Sequence, residues 1–310
     1  MEDSIVRVEH LSHRYHIQWA IQDISFEIKE KGVLGLLGSN GAGKSTTMNI
    51  ICGVLNQTEG EVYLNGYNLR TNPVEAKRHI GFLPQKPPLY PDITVEEYLT
   101  YAAHLRLMEE KQILHAVEQA MKRCDITHFR ERIINNLSGG YQQRVGIAQA
   151  IVHNPRFVVL DEPTNGLDPN QIVEIRHLIK EIATDRAVLL STHILSEVQA
   201  TCNNIKMIEH GKLVFSGSMD EFNNYVAPST LIVTFDAAPP VSALETIEGV
   251  ARVEKVNARN YRLQFDASKD ISEHIVQLSV SNNWQLSEIQ LERQSLDAIF
   301  AQLSGKKVQQ

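Results

Sequence analysis

The run Gly38-Ser39-Asn40-Gly41-Ala42-Gly43-Lys44-Ser45-Thr46 has the composition of a cradle for phosphate. Backbone N–H groups can converge on phosphate oxygens only where side chains leave the path clear, and glycines leave it clear. A helix starting at Lys44 adds unpaired N–H groups and about half a positive charge at its N-terminus. Lys44 then brings a point charge to the β- and γ-phosphates, and the Ser45 hydroxyl can ligate Mg2+. Gly38, Gly43, Lys44 and Ser45 stand at the full phosphate-loop spacing. A chance glycine-rich turn would lack the apolar run before it and the helical pattern after it.

Two further stretches carry chemistry. Phe157-Val158-Val159-Leu160 is an apolar run that ends in Asp161 and Glu162, with Pro163 and Thr164 closing it. Alone, the two acids would read as solvated turn residues. Below a phosphate loop, Asp161 suits Mg2+ held through water, and Glu162 suits a general base that polarises the attacking water. Leu137-Ser138-Gly139-Gly140-Tyr141-Gln142-Gln143-Arg144 precedes an apolar face of Val145, Ala148 and Val152. Ser138, Gly139 and Gly140 therefore open a second helix N-terminus able to receive an anion, with glycines permitting close approach.

The elements that must hold these residues follow from hydrophobic spacing. Gly32 to Leu37 reads as a buried strand feeding the loop, and Met48 and Ile51 extend a helix from Lys44 to about Cys52. Ile5 to Val8 and Ile24 to Ile28 read as short strands. Thr94 and Glu97 make a capping box, after which Tyr98, Leu99, Ala102 and Leu105, then Ile113, Leu114, Val117, Ala120 and Met121, repeat at helical spacing. Residues from about 88 to 150 thus form a helical subdomain inserted in an α/β domain. Beyond it come the strand at 157–160, a helix near 170–183 and a strand from Ala187 to Leu190. The α/β domain is placed at 1–222. After a linker at 226–230, residues 228–310 follow the order βαββαβ, with a tail helix near 295–303. That order fits a small α+β, ferredoxin-like domain.

Composition sets outer limits. A chain of 310 residues, 43% hydrophobic and 22% charged, is long enough for about two domains. A net charge of −7 offers no general surface for nucleic acid. Cys52, Cys124 and Cys202 form no CxxC pair and read as free thiols in a reducing compartment. His10, His13 and His16 match no ligand set and read as surface residues. The acidic start, Met1-Glu2-Asp3-Ser4, is not that of a signal peptide. No uncharged apolar run is long enough to span a bilayer, so action at a membrane would go through a partner.

At this point residues 5–220 resemble the ATP-binding subunits of ABC transporters. The phosphate loop, Phe157 to Glu162 and the signature-like Leu137 to Arg144 are joined by three more matches in family order. These are Gln85, which ends Ile80-Gly81-Phe82-Leu83-Pro84-Gln85, then Gly166-Leu167-Asp168-Pro169, then His193, which ends Leu189-Leu190-Ser191-Thr192-His193. The resemblance implies a P-loop NTPase fold of the ABC type and ATP hydrolysis with Mg2+. It implies that Gln85 senses Mg2+ and the γ-phosphate, that His193 bonds the γ-phosphate and positions the water, and that Asp168 links two ATP sites. An aromatic residue upstream of the loop stacks on adenine in the family. Tyr15 fits that spacing, though an ordinary surface or core tyrosine remains open because Trp19 lies near.

In the family, the helix end at Ser138 to Gly140 meets ATP bound by the other subunit. The resemblance therefore implies an ATP-sandwiched dimer, with a second copy or a homologous subunit. Separate membrane permease subunits would complete the assembly at the cytoplasmic face of the inner membrane. The run from Ile80 to Glu97 and the short extra C-terminal domain are most similar to exporters. A soluble ABC ATPase working on ribosomes or DNA is the alternative. Such chains usually carry paired cassettes or a long coiled coil, and neither occurs here. A small-molecule P-loop kinase has no reason to carry the signature stretch. The C-terminal domain shows no catalytic pair and is expected to be a packing or dimerisation module.

Overall fold

The computed structural model of the chain describes residues 4–223, 230–266 and 271–292. Two compact units emerge, Met1–Met219 and Asp220–Gln310.

The first unit opens with β1 (Val6–Tyr15) and β2 (Gln18–Ile28), an antiparallel hairpin. Both strands are longer than the sequence pattern suggests. Register shifts after Val8, Leu11 and His13 break the alternation, and His10 and Asp23 take positive φ of 47° and 53°. Such bulges re-aim side chains. His13 is accordingly buried at 8% exposure, contrary to its expected surface position, while His10 and His16 are exposed.

Next come β3 (Gly32–Leu37), α1 (Lys44–Ile51), β4 (Glu59–Leu64), β5 (Tyr67–Asn68), α2 (Pro73–Arg78) and β6 (Ile80–Leu83). The helical insert holds α3 (Val95–Leu105), α4 (Glu110–Arg123) and α5 (Gly139–Ile151). Its first helix starts where the capping box predicts: Glu97 N donates to Thr94 Oγ1, and Thr94 N donates to Glu97 Oε2 at 2.8 Å. Arg106, just past α3, donates to the carbonyls of Lys77 and Ile80 and so ties the insert to β6. The unit closes with β7 (Phe157–Asp161), α6 (Pro169–Ile182), β8 (Ala187–Ser191), α7 (Leu195–Thr201), β9 (Asn204–Glu209) and β10 (Lys212–Ser218), and α8 (Met219–Asn223) starts at its last residue.

Two sheets result, ordered β2-β1-β4-β5 and β10-β9-β3-β8-β7-β6. In the second, every neighbouring pair from β9 to β6 is parallel, and β10 returns antiparallel. The apolar runs of β3, β7 and β8 are buried along nearly their whole length, as strands covered on both faces must be. Cys52, Cys124 and Cys202 are buried free thiols. No helix among the described residues is long and apolar enough to cross a membrane.

The second unit runs β11 (Thr230–Phe235), α9 (Val241–Glu245), β12 (Val250–Lys255), β13 (Asn260–Phe265), α10 (Ser272–Ser281) and β14 (Leu286–Glu292). Its sheet is antiparallel throughout, ordered β12-β13-β11-β14. This is the split βαβ arrangement the sequence order predicts. Leu231, Val233 and Phe235 alternate inward against Tyr261, Leu263 and Ile275. The expected tail helix near 295–303 and residues 226–229 of the expected linker lie outside the described residues.

Candidate active site

Parallel strands expose their carboxyl ends along one edge, and loops at that edge form binding sites in open α/β sheets. Here β3, β8, β7 and β6 are adjacent in that order. The phosphate loop follows β3, His193 follows β8, Asp161 and Glu162 end β7, and Gln85 follows β6. Sheet order alone therefore brings together residues that are far apart in the chain. Asn40, Gly41, Gly43 to Thr46, Gln85, Glu162 and His193 line one cleft of about 300 Å3, with Ala20 of β2 at its wall. Larger hollows of about 730 and 420 Å3 lie elsewhere, and none of these residues lines them.

The loop is tightly braced. Gly38 has no room for a side chain, since a Cβ there would lie 2.2 Å from the Ile208 carbonyl oxygen. Gly43, at φ 112°, caps α1 without a side-chain bond. Lys44 is buried, and its Nζ donates to the carbonyls of Gly38 at 2.8 Å and Ser39 at 3.0 Å. Burial lowers the Lys44 amine from its ordinary value, opposed by the carboxylates of Glu162, Asp161 and Glu209. An incoming phosphate would offer this amine anionic acceptors in place of neutral carbonyls. Glu209, buried at the end of β9, accepts from Ser39 N at 3.1 Å and from Ser39 Oγ at 2.5 Å. Gly211 N donates to Ala42 O at 2.9 Å, so the β9–β10 turn clasps the loop from behind.

Opposite the loop, burial raises the Asp161 carboxyl, and the adjacent Glu162 charge adds to the rise while Lys44 opposes it. Glu162 sits in the left-handed region at φ 47°, as strained residues at functional sites often do. Its N–H donates to Ser191 O at 3.0 Å. Glu162 Oε1 lies 2.9 Å from His193 Nδ1, and Oε2 accepts from Gln85 Nε2 at 2.8 Å. Asn165 Nδ2 reaches the same Oε2 at 3.4 Å. The chain thus holds a carboxylate, an imidazole and an amide as one bonded cluster facing a phosphate loop.

The remaining sequence-predicted residues stand apart from this cleft. Ser138 is the N-cap of α5, yet its side chain makes no capping bond. A Cβ on Gly139 would meet open space, while one on Gly140 would press on the Gln171 side chain. Gly140 lines a separate hollow with Tyr141, Arg144 and Gln171. Asp168 caps α6, accepting from Asn170 N and Gln171 N at 3.0 Å each. Tyr15 is half-exposed at the β1–β2 turn, edge-on to His13 at 4.7 Å between ring centres, and is not among the cleft-lining residues.

Several residues of the site were not anticipated from sequence. Glu209 acts from β9, an element with no motif of its own. Asn165 and Ala20 join through the fold. Of these, only Asn165 had a local signal, three positions after Glu162 in the same turn.

Comparison with known proteins agrees with the fold. The family model described as ABC transporter matches residues 21–165. The chain is 32% identical over 217 residues to an uncharacterised ABC transporter ATP-binding protein, YxlF, of Bacillus subtilis, covering 70% of this chain and 72% of YxlF. It is 27% identical over 307 residues to the linearmycin resistance ATP-binding protein LnrL of Bacillus subtilis, covering 97% of this chain and 99% of LnrL. Among solved structures, it matches a dimeric post-hydrolysis state of the ATP-binding cassette MJ0796 bound to ADP and Pi. That match has a TM-score of 0.62 and 26% identity, over 69% of this chain and 98% of that one. The chain belongs to the ATP-binding subunits of ABC transporters and is an ATPase.

Proposed function

We propose that the chain is the motor subunit of an exporter, and that two copies, or one copy and a homologous subunit, enclose ATP between them. One observation carries the reading. The cleft assembles the phosphate loop, Gln85, Glu162 and His193 within one chain, whereas Ser138, Gly139 and Gly140 do not line it and Gly140 lines a separate hollow. That helix end has an unused cap hydroxyl and open space at Gly139, so it is free to meet a γ-phosphate held by another subunit. Each subunit then contributes half of two equal sites, as a two-fold interface requires.

Within one site the chemistry follows from the contacts. Lys44 leaves the carbonyls of Gly38 and Ser39 for the phosphates. Glu162 takes the proton of the attacking water, and His193 and Gln85 hold the Glu162 carboxylate in place. Asp161 and the Ser45 hydroxyl are oxygen donors of the type Mg2+ takes, with Gln85 adjoining. Mg2+ is usually held by one or two protein oxygens together with substrate phosphate and water. Such an ion would neutralise charge developing on the phosphates.

ATP hydrolysis is assigned to residues 1–222, with 228–310 as a separate accessory module. The exporter reading rests on full-length likeness to the linearmycin resistance protein. We read separate permease subunits as the transport path and the cytoplasmic face of the inner membrane as this chain's place, a reading supported by likeness to ATP-binding proteins of ABC transporters. Tyr90, Tyr98 and Tyr101 pack edge-to-face shortly after Gln85, with centroids 6.1 and 5.5 Å apart. Tyr90 and Tyr101 are exposed, making an aromatic surface fit for the permease.

Mixing two defective variants tests the shared site. Lys44→Ala removes the loop cation. Gly139→Asp places a negative charge where the partner's phosphate would come, without a clash in its own chain. Each alone should be inactive. An equal, exchanging mixture should recover about a quarter of the wild-type rate, since half the dimers are mixed and each keeps one intact site of two. A mixture no more active than its components refutes the shared site.

A further inference from the structure

We propose that Glu197 is a positioning residue for hydrolysis, its carboxylate strapping the turn after Glu162 to the segment that carries His193. Glu197 lies on α7, outside every motif of the cleft, and is 2% exposed. One oxygen accepts from Thr164 Oγ1 at 2.6 Å, the other from Thr192 Oγ1 at 2.8 Å. Both threonines are buried as well. Arg176 Nη2 of α6 stands 3.7 Å from Glu197 Oε1 and offsets part of its charge.

The two anchor points are the ones that matter to the cleft. Thr164 follows Glu162 with only Pro163 between them, and proline fixes φ, so the lever from anchor to base is short and stiff. Thr192 directly precedes His193, and its hydroxyl also accepts from Ile194 N at 3.0 Å, which fixes the turn around the histidine. Thus one buried carboxylate, beyond the backbone bond from Glu162 N to Ser191 O, ties together the two segments whose side chains meet as Glu162 and His193 at 2.9 Å. Burying a carboxylate is costly unless its lone pairs are used, and a leucine would fill the space without that cost. Here both oxygens are used to join two catalytic segments, each already held at a strand end.

The inference rests on Glu162 as base and His193 as its partner. It predicts a specific kinetic signature for Glu197→Gln. A glutamine has one acceptor oxygen, so one threonine hydroxyl exchanges its charge-assisted bond to the carboxylate for a weaker neutral bond from the amide, while the shape persists. The kcat for ATP should fall about ten- to a hundredfold, within the cost of roughly 1 Å of misplacement. The KM for ATP should stay unchanged, because the phosphate loop is not touched. In the full-length protein, Thr192→Val should reproduce the kcat loss and Thr192→Ser, which keeps the hydroxyl, should restore it. A structural role would instead lower nucleotide affinity and melting temperature together and would not separate valine from serine in kcat. If Glu197→Gln does not fold, the Thr192 pair decides the matter alone. Wild-type kcat in Thr192→Val, or equal loss in Thr192→Ser, overturns the proposal. Glu162→Gln run in parallel separates the two readings: if it still hydrolyses ATP, the assignment of the base fails, whatever the Thr192 pair shows.

Discussion

Glu162→Gln should stop hydrolysis while leaving the cleft nearly unchanged, and the contacts show why. Glu162 presents one oxygen to His193 Nδ1 at 2.9 Å and the other to the Gln85 amide at 2.8 Å. A glutamine can keep both. Its oxygen accepts from Gln85, and its amide donates to Nδ1 of a ring that carries its proton on Nε2. Neither contact is left unsatisfied, so the stability change should stay within about 1 kcal/mol, the ordinary range for a well-tolerated substitution. The left-handed backbone at φ 47° is imposed on either side chain alike.

What disappears is the basic lone pair. Removing a positioned general base costs about 10²- to 10⁴-fold in rate, which is about 2.7–5.4 kcal/mol on the barrier. The assay is phosphate release at saturating ATP and Mg2+, with nucleotide binding and melting temperature measured on the same preparation. Size-exclusion chromatography with ATP and Mg2+ should then show a dimer that the wild type does not accumulate. Three results would refute the reasoning: hydrolysis within tenfold of wild type, a strictly monomeric profile with ATP bound, or a melting temperature lowered by several degrees. The last would mean that His193 or Gln85 does not accept the substituted amide as the geometry requires.

Two further outcomes follow from contacts away from the cleft. Hydrogen bonds from Arg186, and next from Arg123, bring the Asp185 carboxyl from 3.8 down to about 2, against the opposing effect of burial. Its folded value lies below its unfolded one, so this stabilisation is complete above 3.8 and is lost as pH falls toward about 2. Urea midpoints at about pH 5 and about pH 2.5 should therefore differ more for wild type than for Asp185→Asn, and an equal drop refutes the linkage. At the aromatic surface, Tyr90→Ser combined with Tyr101→Ser should abolish co-purification with a polytopic membrane protein from detergent extracts while the free chain keeps its ATPase rate. Recovery of ribosomes instead of a membrane subunit from wild-type extracts would refute the transporter assignment.

The phosphate loop and the strand ending in Asp161 and Glu162 were legible because each motif is contiguous and its flanks carry their own pattern. Gly32 to Leu37 is an unbroken apolar run, and the structure makes it β3, buried between parallel neighbours. The second unit was legible for a similar reason. Leu231, Val233 and Phe235 alternate cleanly, and the strand pairing follows the βαββαβ order. The opening hairpin exceeds the strands that spacing predicts because its bulges erase the two-residue period just where β1 and β2 continue, and His13 is buried with it. The β9–β10 hairpin was passed over: its turn at His210 and Gly211 is brief, and β10 is only partly buried, so it has no strong apolar face.

Glu197 and Glu209 show a different limit. Both are acids in stretches where an acid would ordinarily be solvated, on α7 and at the end of β9. Each becomes buried only because a strand end and a loop close over it: Thr164 and Thr192 in one case, Ser39 in the other. Their partners are 33 and 5 residues away for Glu197 and 170 residues away for Glu209. No local period encodes such pairings, since they exist only once β3, β8 and β7 lie side by side. The sequence motifs name the groups that meet ATP. Sheet order determines which buried carboxylates brace those groups, and a substitution at Glu197 or Glu209 would therefore act on the cleft without replacing any residue that the motifs mark.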